Sequence, residues 1–424
     1  MVDAMNAERL MSLSFSLDTL TVFRSLEEDP VIAALGDALH KAAALASDAE
    51  EGNSTSGDAM ALARAYATFV AALFDSEAEG LGSYILDATV DDENVYLRTI
   101  GAGRVPGASL AAAAEAELSV LQELADLEPQ DFLELLPGAA DRLPAFDTQK
   151  VDIAGTYHER IANIGKYGYG MYARYHVFRV DAQGQIVPVK HPDPQRLEDL
   201  VDYEREKKVI LDNTRALVKR LPAANILLTG DAGTGKSSTV KAVANALAGE
   251  GVRILEVRKE QLRDIPGILD TLTHNPCTFI IFIDDLSFAA DDDNFAALKA
   301  ILEGSVSAKS SNVAIYATSN RRHLVRETFS EREGDEVHLN DTLQEIVSLS
   351  DRFGIHLSFT KPNKQTYLDI VHKLAQERGI ALDEQELDLE AERFATRRGG
   401  RSARGARQFV DSLLSKEASS EEQA

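Results

Sequence analysis

Apolar positions along the chain follow two rhythms, and the switch between them divides it. Through the first 150 residues they recur at helical spacing; Leu110–Leu127, LAAAAEAELSVLQELADL, has helix formers at nearly every position. Segments such as EEGNSTSGD and GAGRVPG interrupt the pattern, so a helical bundle is predicted. From Leu221 onward, short apolar runs alternate with helical stretches. The runs are Asn225–Thr229, Val252–Val257, Thr278–Ile283, Asn312–Ala317 and Ile355–Phe359. Runs of this length suit strands buried on both faces, which predicts an α/β domain with a parallel sheet covered by helices. After Pro362 the helical rhythm returns, and the polar ending SKEASSEEQA is expected to be disordered.

Between the two patterns lies a stretch of different character. Tyr157, Tyr167, Tyr169, Tyr172 and Tyr175 sit among glycines and the cations Lys166 and Arg174, and YHVFRVDAQGQIVPV reads as a β-hairpin. Aromatics interleaved with cations can stack the bases of single-stranded nucleic acid. The more ordinary reading is that they pack a small sheet.

Composition sharpens the division. The 424 residues, 44% hydrophobic and 27% charged, are enough for two or three cored domains. The net charge is -25, and residues 1–150 hold 8 Lys/Arg against 27 Asp/Glu. The shift marks a boundary near Lys150. Such acidity argues against a protein whose whole surface coats nucleic acid, while leaving room for a local basic groove. The acidic domain reads either as a docking surface for an unknown protein partner or as an ordinary solvated bundle. A single cysteine, Cys277, rules out an intrachain disulfide. No stretch approaches the ~20 apolar residues that span a bilayer, and the N-terminus does not resemble a signal peptide. A cytoplasmic protein with no membrane partner is expected. His323, His338, His356 and His372 lack the paired spacing of a zinc-binding helix.

The strongest chemical signal is Gly230-Asp231-Ala232-Gly233-Thr234-Gly235-Lys236-Ser237, followed by Ser238. It matches the G-x-x-x-x-G-K-[ST] phosphate-binding loop, and it stands between an expected strand and an expected helix, as that chemistry requires. Glycines allow the tight turn that aims backbone N–H groups and a helix N-terminus at phosphate oxygens. Lys236 is expected on the β- and γ-phosphates and Ser237 on Mg²⁺. The second signal is FIIFIDD, an apolar run ending in Asp284 and Asp285. Ligands of open parallel sheets sit outside the carboxyl ends of the strands. Asp284 is therefore expected to share the Mg²⁺ with Ser237, and Asp285 to orient or deprotonate an attacking water.

Taken in order, these features resemble an AAA+ P-loop ATPase over roughly Pro192 to Leu414. The stretch is similar to a bacterial family of predicted ATPases of unknown function, domain of unknown function 815. The resemblance implies ATP and Mg²⁺ as ligands and a helical lid after the sheet. DLVDYEREKKVILDNTRALV looks like the segment over the adenine. Asn320, ending NVAIYATSN, matches the polar sensor 1 beside the γ-phosphate. LSDRFG resembles the box that presents an arginine finger, here Arg352, to a neighbouring subunit. GGRSARGARQFV resembles the sensor 2 helix, with Arg404 the best match and Arg401 the second. Arg397, Arg398, Arg401, Arg404 and Arg407 could alternatively touch a phosphate backbone. The implied organisation is an acidic helical domain (1–150), a Tyr/Gly-rich segment with a hairpin (151–191), the AAA+ domain (192–361), the lid (362–415) and a disordered tail (416–424).

Two departures bear on activity. Asp285 stands where most members of the superfamily have Glu, which withdraws the carboxylate by about one methylene. The loop Arg258–Pro266 has no aromatic, whereas protein-threading members carry one there. EREGDEVHLNDTLQE reads as an insertion, either responsive to nucleotide or a passive loop. The leading function is an ATP-hydrolysing homo-oligomer, a ring or partial ring, that remodels or loads a macromolecular partner. The alternatives are a slow-hydrolysing nucleotide switch or scaffold and, less favoured, a small-molecule kinase.

Overall fold

The computed structural model describes residues 4–50, 56–136, 138–287, 293–303, 311–320, 352–380 and 383–421. Two compact units result, Met1–Arg174 and Tyr175–Ala424.

The first unit is helical. It runs α1 (Ala4–Asp18), α2 (Pro30–Glu50), α3 (Ser56–Asp75), α4 (Leu81–Asp91), α5 (Val95–Gly101), α6 (Ala108–Ala125), α7 (Pro129–Leu133), α8 (Ile153–Ala162), α9 (Ile164–Tyr167) and α10 (Met171–Arg174). Side-chain caps fix several starts: Asn94 accepts from the Leu97 amide at 2.9 Å, and Asp152 from that of Gly155 at 2.8 Å. Tyr66, Phe69, Phe132 and Phe146 meet in one aromatic cluster at the core. The unit continues past the expected boundary at residue 150, because Tyr157 and Tyr169 belong to this core. Tyr157 is 1% exposed, its ring 5.4 Å from that of Phe23, and burial pushes its phenol pKa up. Tyr172 is buried too. Faces spent on packing cannot stack bases, so these three tyrosines do not form a nucleic-acid platform.

The second unit is built on a mostly parallel sheet. Its strands are β1 (Val177–Val180), β2 (Ile186–Pro188), β3 (Ile226–Gly230), β4 (Val252–Val257), β5 (Thr278–Ile283), β6 (Val313–Ser319) and β7 (Ile355–Phe359), in the order β2-β1-β4-β5-β6-β3-β7. The expected hairpin exists, but not as a separate segment. β1 pairs antiparallel with β2 and parallel with β4, extending the sheet. β5, fully buried along its length, lies between β4 and β6, which explains its unbroken apolar run. The helices α11 (Glu204–Val218), α12 (Lys236–Ala246), α13 (Ile265–Thr273) and α14 (Asp293–Glu303) flank the sheet.

Beyond β7, helices Lys364–Glu377, Glu384–Arg397 and Ala403–Glu421 share their own core around Tyr367, Val371, Ala391 and Phe409. They occupy the stretch expected to form the lid. Its last helix reaches Glu421, so the polar tail expected to be disordered from residue 416 is helical that far. Serine, alanine and glutamate continue a formed helix at little cost. The architecture is the expected α/β fold, a mostly parallel seven-stranded sheet flanked by helices, with a helical N-terminal unit and a helical C-terminal bundle.

Candidate functional site

Parallel register brings the carboxyl ends of β3, β5 and β6 to one edge. Thr229 is opposite Ser319, and Ile283 is opposite Ala317. β5 ends two residues before that level, so Asp284 and Asp285 leave it alongside the last residues of β3 and β6. Gly230 opens the loop with φ +139, and a Cβ there would stand 1.9 Å from the Phe359 carbonyl oxygen on β7. Only glycine fits so close an approach. Gly233, at φ +79, packs against Ser402 and Arg404 of the lid, and the Arg404 amide donates to its carbonyl at 3.3 Å.

The loop ends at Gly235, the N-cap of α12. Lys236, 5% exposed, turns its Nζ back to donate to the carbonyls of Gly230 (3.0 Å) and Asp231 (2.8 Å) and to Oδ1 of Asn320 (2.9 Å). Burial lowers its ammonium pKa, and the charges of Asp284, Asp285 and Asp231 oppose that shift. Asn320 donates through Nδ2 to the Asp285 carboxylate at 2.6 Å. Ser237 Oγ donates to Oδ1 of Asp284 at 2.6 Å. The expected residues Lys236, Ser237, Asp284, Asp285 and Asn320 thus form one hydrogen-bonded group.

They line a cavity of ≈ 530 Å³, within the range that small ligands occupy. Ala232, Gly233, Thr234, Gly235 and Ser238 border it, with Leu200, Val201 and Tyr203 on one side and the lid residues Ile370 and Leu374 also present. Of the stretch Asp199–Val218, expected over an adenine, the part before α11 lines the cavity, through Asp199, Leu200, Val201 and Tyr203. Tyr203 stacks on Phe359 with centroids 4.6 Å apart and donates to the Thr360 carbonyl. Burial, and then Asp202, Glu206 and Asp231, push its phenol up to about 12.

The lid contributes Arg404 and Arg407, one turn apart on the same helix; neither is paired with a carboxylate among the described residues. Arg401, the second candidate for sensor 2, makes a two-pronged pair with Glu392 at 2.8 and 2.6 Å and does not line the cavity. Arg398 lies over the Phe394 ring. Arg352 is away from this group. It pairs with Glu303 at 2.5 Å, at the end of α14. It precedes Ile355, which is opposite Ile226 at the far end of β3, whereas Phe359 is opposite Gly230. Four residue rises of roughly 3.3 Å along the strand separate those levels. Leu349, Ser350 and Asp351, the charged insertion, His323 and His338 lie outside the described residues.

The donor set fits the expected ligands. Amides at a helix N-terminus, a buried ammonium and two guanidiniums suit a polyphosphate. A serine hydroxyl beside a carboxylate suits a hard, oxygen-seeking cation such as Mg²⁺. Sequence reading overlooked two residues here: Arg407, noted only as one of a crowd, and Thr318, whose buried hydroxyl lies 2.5 Å from Oδ1 of Asp284. The segment Arg258–Pro266 is folded rather than open. Lys259–Asp264 is a 3-10 turn, and Gln261 donates to the carbonyls of Val180 (3.2 Å) and Asp181 (2.7 Å) on the hairpin. Among the described residues no group of three His, Cys, Asp or Glu could hold a metal, and no helix is long and apolar enough to cross a membrane.

Comparison with solved structures finds similarity at low identity. The Thermotoga maritima RuvB Holliday junction branch migration motor is 17% identical over 51% of this chain and 63% of that one, with a TM-score of 0.35. The present chain thus spans less than two thirds of the motor's length. A chain of the E. coli MS115-1 HORMA:CdnC:Trip13 complex is 16% identical over 52% and 92%, with a TM-score of 0.35. The FIGL-1 AAA domain in complex with ADP is 18% identical over 51% and 71%, again with a TM-score of 0.35. No curated protein matches. Residues 173–417, more than half of the chain, match the model of a family described as a protein of unknown function, DUF815, and the chain belongs to that family.

Proposed function

We propose that the chain binds ATP with Mg²⁺, hydrolyses it to ADP and phosphate, and does so as a homo-oligomer that remodels or loads a macromolecular partner. The observation carrying this reading is the hydrogen-bonded group Lys236–Asn320–Asp285 beside Ser237–Asp284, in a cavity also lined by Arg404 and Arg407, which pair with no carboxylate among the described residues. In it, Gly230–Ser238 cradles the phosphates and Lys236 contacts their β- and γ-oxygens. Ser237 and Asp284 hold the Mg²⁺. When bound, that ion neutralises charge on the phosphate oxygens. Asp285 takes a proton from the attacking water, Asn320 orients Asp285, and Arg404 reads the γ-phosphate from the lid.

Arg352 belongs to the site of a neighbouring copy. Its level at the far end of β3 keeps it from its own loop, and a cation supplied in trans is worth ~10³–10⁵ in rate. The acidic N-terminal unit recognises the partner. The decisive experiment is the ATPase rate per subunit over a wide range of protein concentration, with Lys236→Ala and Arg352→Ala alongside. A rate that climbs with concentration and collapses in both variants supports the assembled enzyme. A substantial rate that is independent of concentration removes Arg352 from the mechanism.

One observation favours a second reading, a slow nucleotide switch. The short Asp285 carboxylate is already held by Asn320 at 2.6 Å, which restrains it from meeting a water. Tight ATP binding with negligible turnover at every concentration would establish the switch instead.

A further inference from the structure

Thr318 ends the buried strand β6 and is 1% exposed. Its hydroxyl meets both acidic residues at once. It donates to Oδ1 of Asp284 at 2.5 Å and accepts from the backbone amide of Asp285 at 2.9 Å. A hydroxyl has one proton to give and lone pairs to receive, and a carboxylate can only accept, so the direction of both bonds follows. The Thr318 carbonyl accepts from the Leu286 amide at 2.7 Å, which carries the pairing of β5 with β6 past the last strand residue.

Two consequences follow for the carboxylates. Asp285 has φ +52, a left-handed conformation uncommon outside glycine that aspartate adopts more readily than most side chains. The Thr318 hydroxyl accepts from its amide at 2.9 Å, the shorter of two bonds that hold it there, the other being to Oδ1 of Asp284 at 3.1 Å. Asp284 is bound unequally: Thr318 and Ser237 hydroxyls both donate to Oδ1, and the Asp285 amide stands 3.1 Å from the same atom. Oδ2 takes no hydrogen bond from the described residues. One oxygen is anchored to the protein and the other is left to face a cation. Strand formation by itself does not need this hydroxyl, because valine has the same branched shape and suits a buried strand as well.

We infer that Thr318 is a positioning residue for both carboxylates: it fixes which oxygen of Asp284 meets the cation, and it fixes the backbone turn that directs Asp285 toward Asn320. The role rests on the ATP and Mg²⁺ reading above. Groups that orient a metal ligand in this way commonly account for 10–100-fold in metal affinity or activity.

The test compares full-length wild type with Thr318→Val, Thr318→Ser and Lys236→Ala. Three quantities are measured: the Mg²⁺ concentration for half-maximal binding of a fluorescent ATP analogue, steady-state turnover, and amide exchange of residues 283–287 in nucleotide-free protein. Thr318→Val should raise the Mg²⁺ requirement about 10-fold and lower turnover at least as much. It should also speed exchange at 283–287, and leave Mg²⁺-free nucleotide affinity within about 3-fold. Thr318→Ser restores the hydroxyl and should stay near wild type in all of them. Should Thr318→Val fail to fold, Thr318→Cys is compared in the same way. Wild-type behaviour of Thr318→Val, or equal damage from Thr318→Ser, overturns the role. A wild type that needs Lys236 for ATP but tolerates Thr318→Val overturns this role alone. A wild type that binds no ATP, or binds it equally well after Lys236→Ala, overturns the ATP reading and this role with it.

Discussion

Lys236 donates to Oδ1 of Asn320 at 2.9 Å, joining the first turn of α12 to the end of β6. The amide nitrogen of the same Asn320 donates to Asp285, so one uncharged side chain separates a cation from an anion and holds both. Asn320→Ala should therefore lower turnover by roughly 10²-fold, the scale of a lost positioning group in proton transfer. Affinity should move by less than about 3-fold, because Lys236 keeps its bonds to the Gly230 and Asp231 carbonyls. Steady-state rates and titration with a fluorescent nucleotide check the split.

The two sensor 2 candidates should separate by phenotype. Arg404→Ala should lower turnover with little change in melting. Arg401→Ala should weaken the lid by about 0.5–1 kcal/mol, the range of a partly exposed pair, and leave the chemistry of the site nearly intact.

That pair also predicts a pH dependence. Hydrogen bonds from Arg401 hold the Glu392 carboxyl below its ordinary value. A depressed acid contributes stability that is complete above the usual carboxylate range and is lost as pH falls through its own lowered value. Thermal melting of wild type should fall more steeply with acidification than that of Glu392→Gln, whose side chain does not titrate.

Gly230→Ala would push a methyl into the Phe359 carbonyl at 1.9 Å, with φ at +139. It should cost about 2–4 kcal/mol, the size of a substitution against fixed backbone. Gly249→Ala, where an added Cβ meets nothing within 4 Å, should be near neutral. Urea titration of both gives the comparison.

If Arg352 works in a neighbouring copy, two inactive variants should rescue one another. Arg352→Ala keeps a sound loop and Lys236→Ala keeps a sound arginine. An equimolar mixture should regain a measurable part of wild-type ATPase, and each variant alone should stay near background.

Local chemistry was legible in the sequence wherever one residue's environment is set by its chain neighbours. The run FIIFI marks β5 because a strand buried on both faces needs apolar residues in succession. Gly230 to Ser237 marks the loop because few other residues permit its turns. Thr318 was hidden for the opposite reason: a threonine in a strand is ordinary, and only the pairing of β5 with β6 brings its hydroxyl to Asp284. Arg404 and Arg401 look alike in the sequence and differ in what the helix Glu384–Arg397 offers, Glu392 to one and not to the other. The tyrosines could be read as packing for a small sheet or as a stacking surface, because their spacing says nothing of the helical core that Phe23 completes. The hairpin's place in the sheet was equally invisible, since it rests on β4, some seventy residues away.

Tyr203 forms part of the cavity wall, yet both of its partners belong elsewhere. Phe359 is the last residue of β7, and Thr360 is the first beyond it, where the chain departs for the lid. The wall of the cavity and the root of the C-terminal helices thus share one contact, so a substitution at Tyr203 disturbs both the cavity and the point where the chain leaves the sheet.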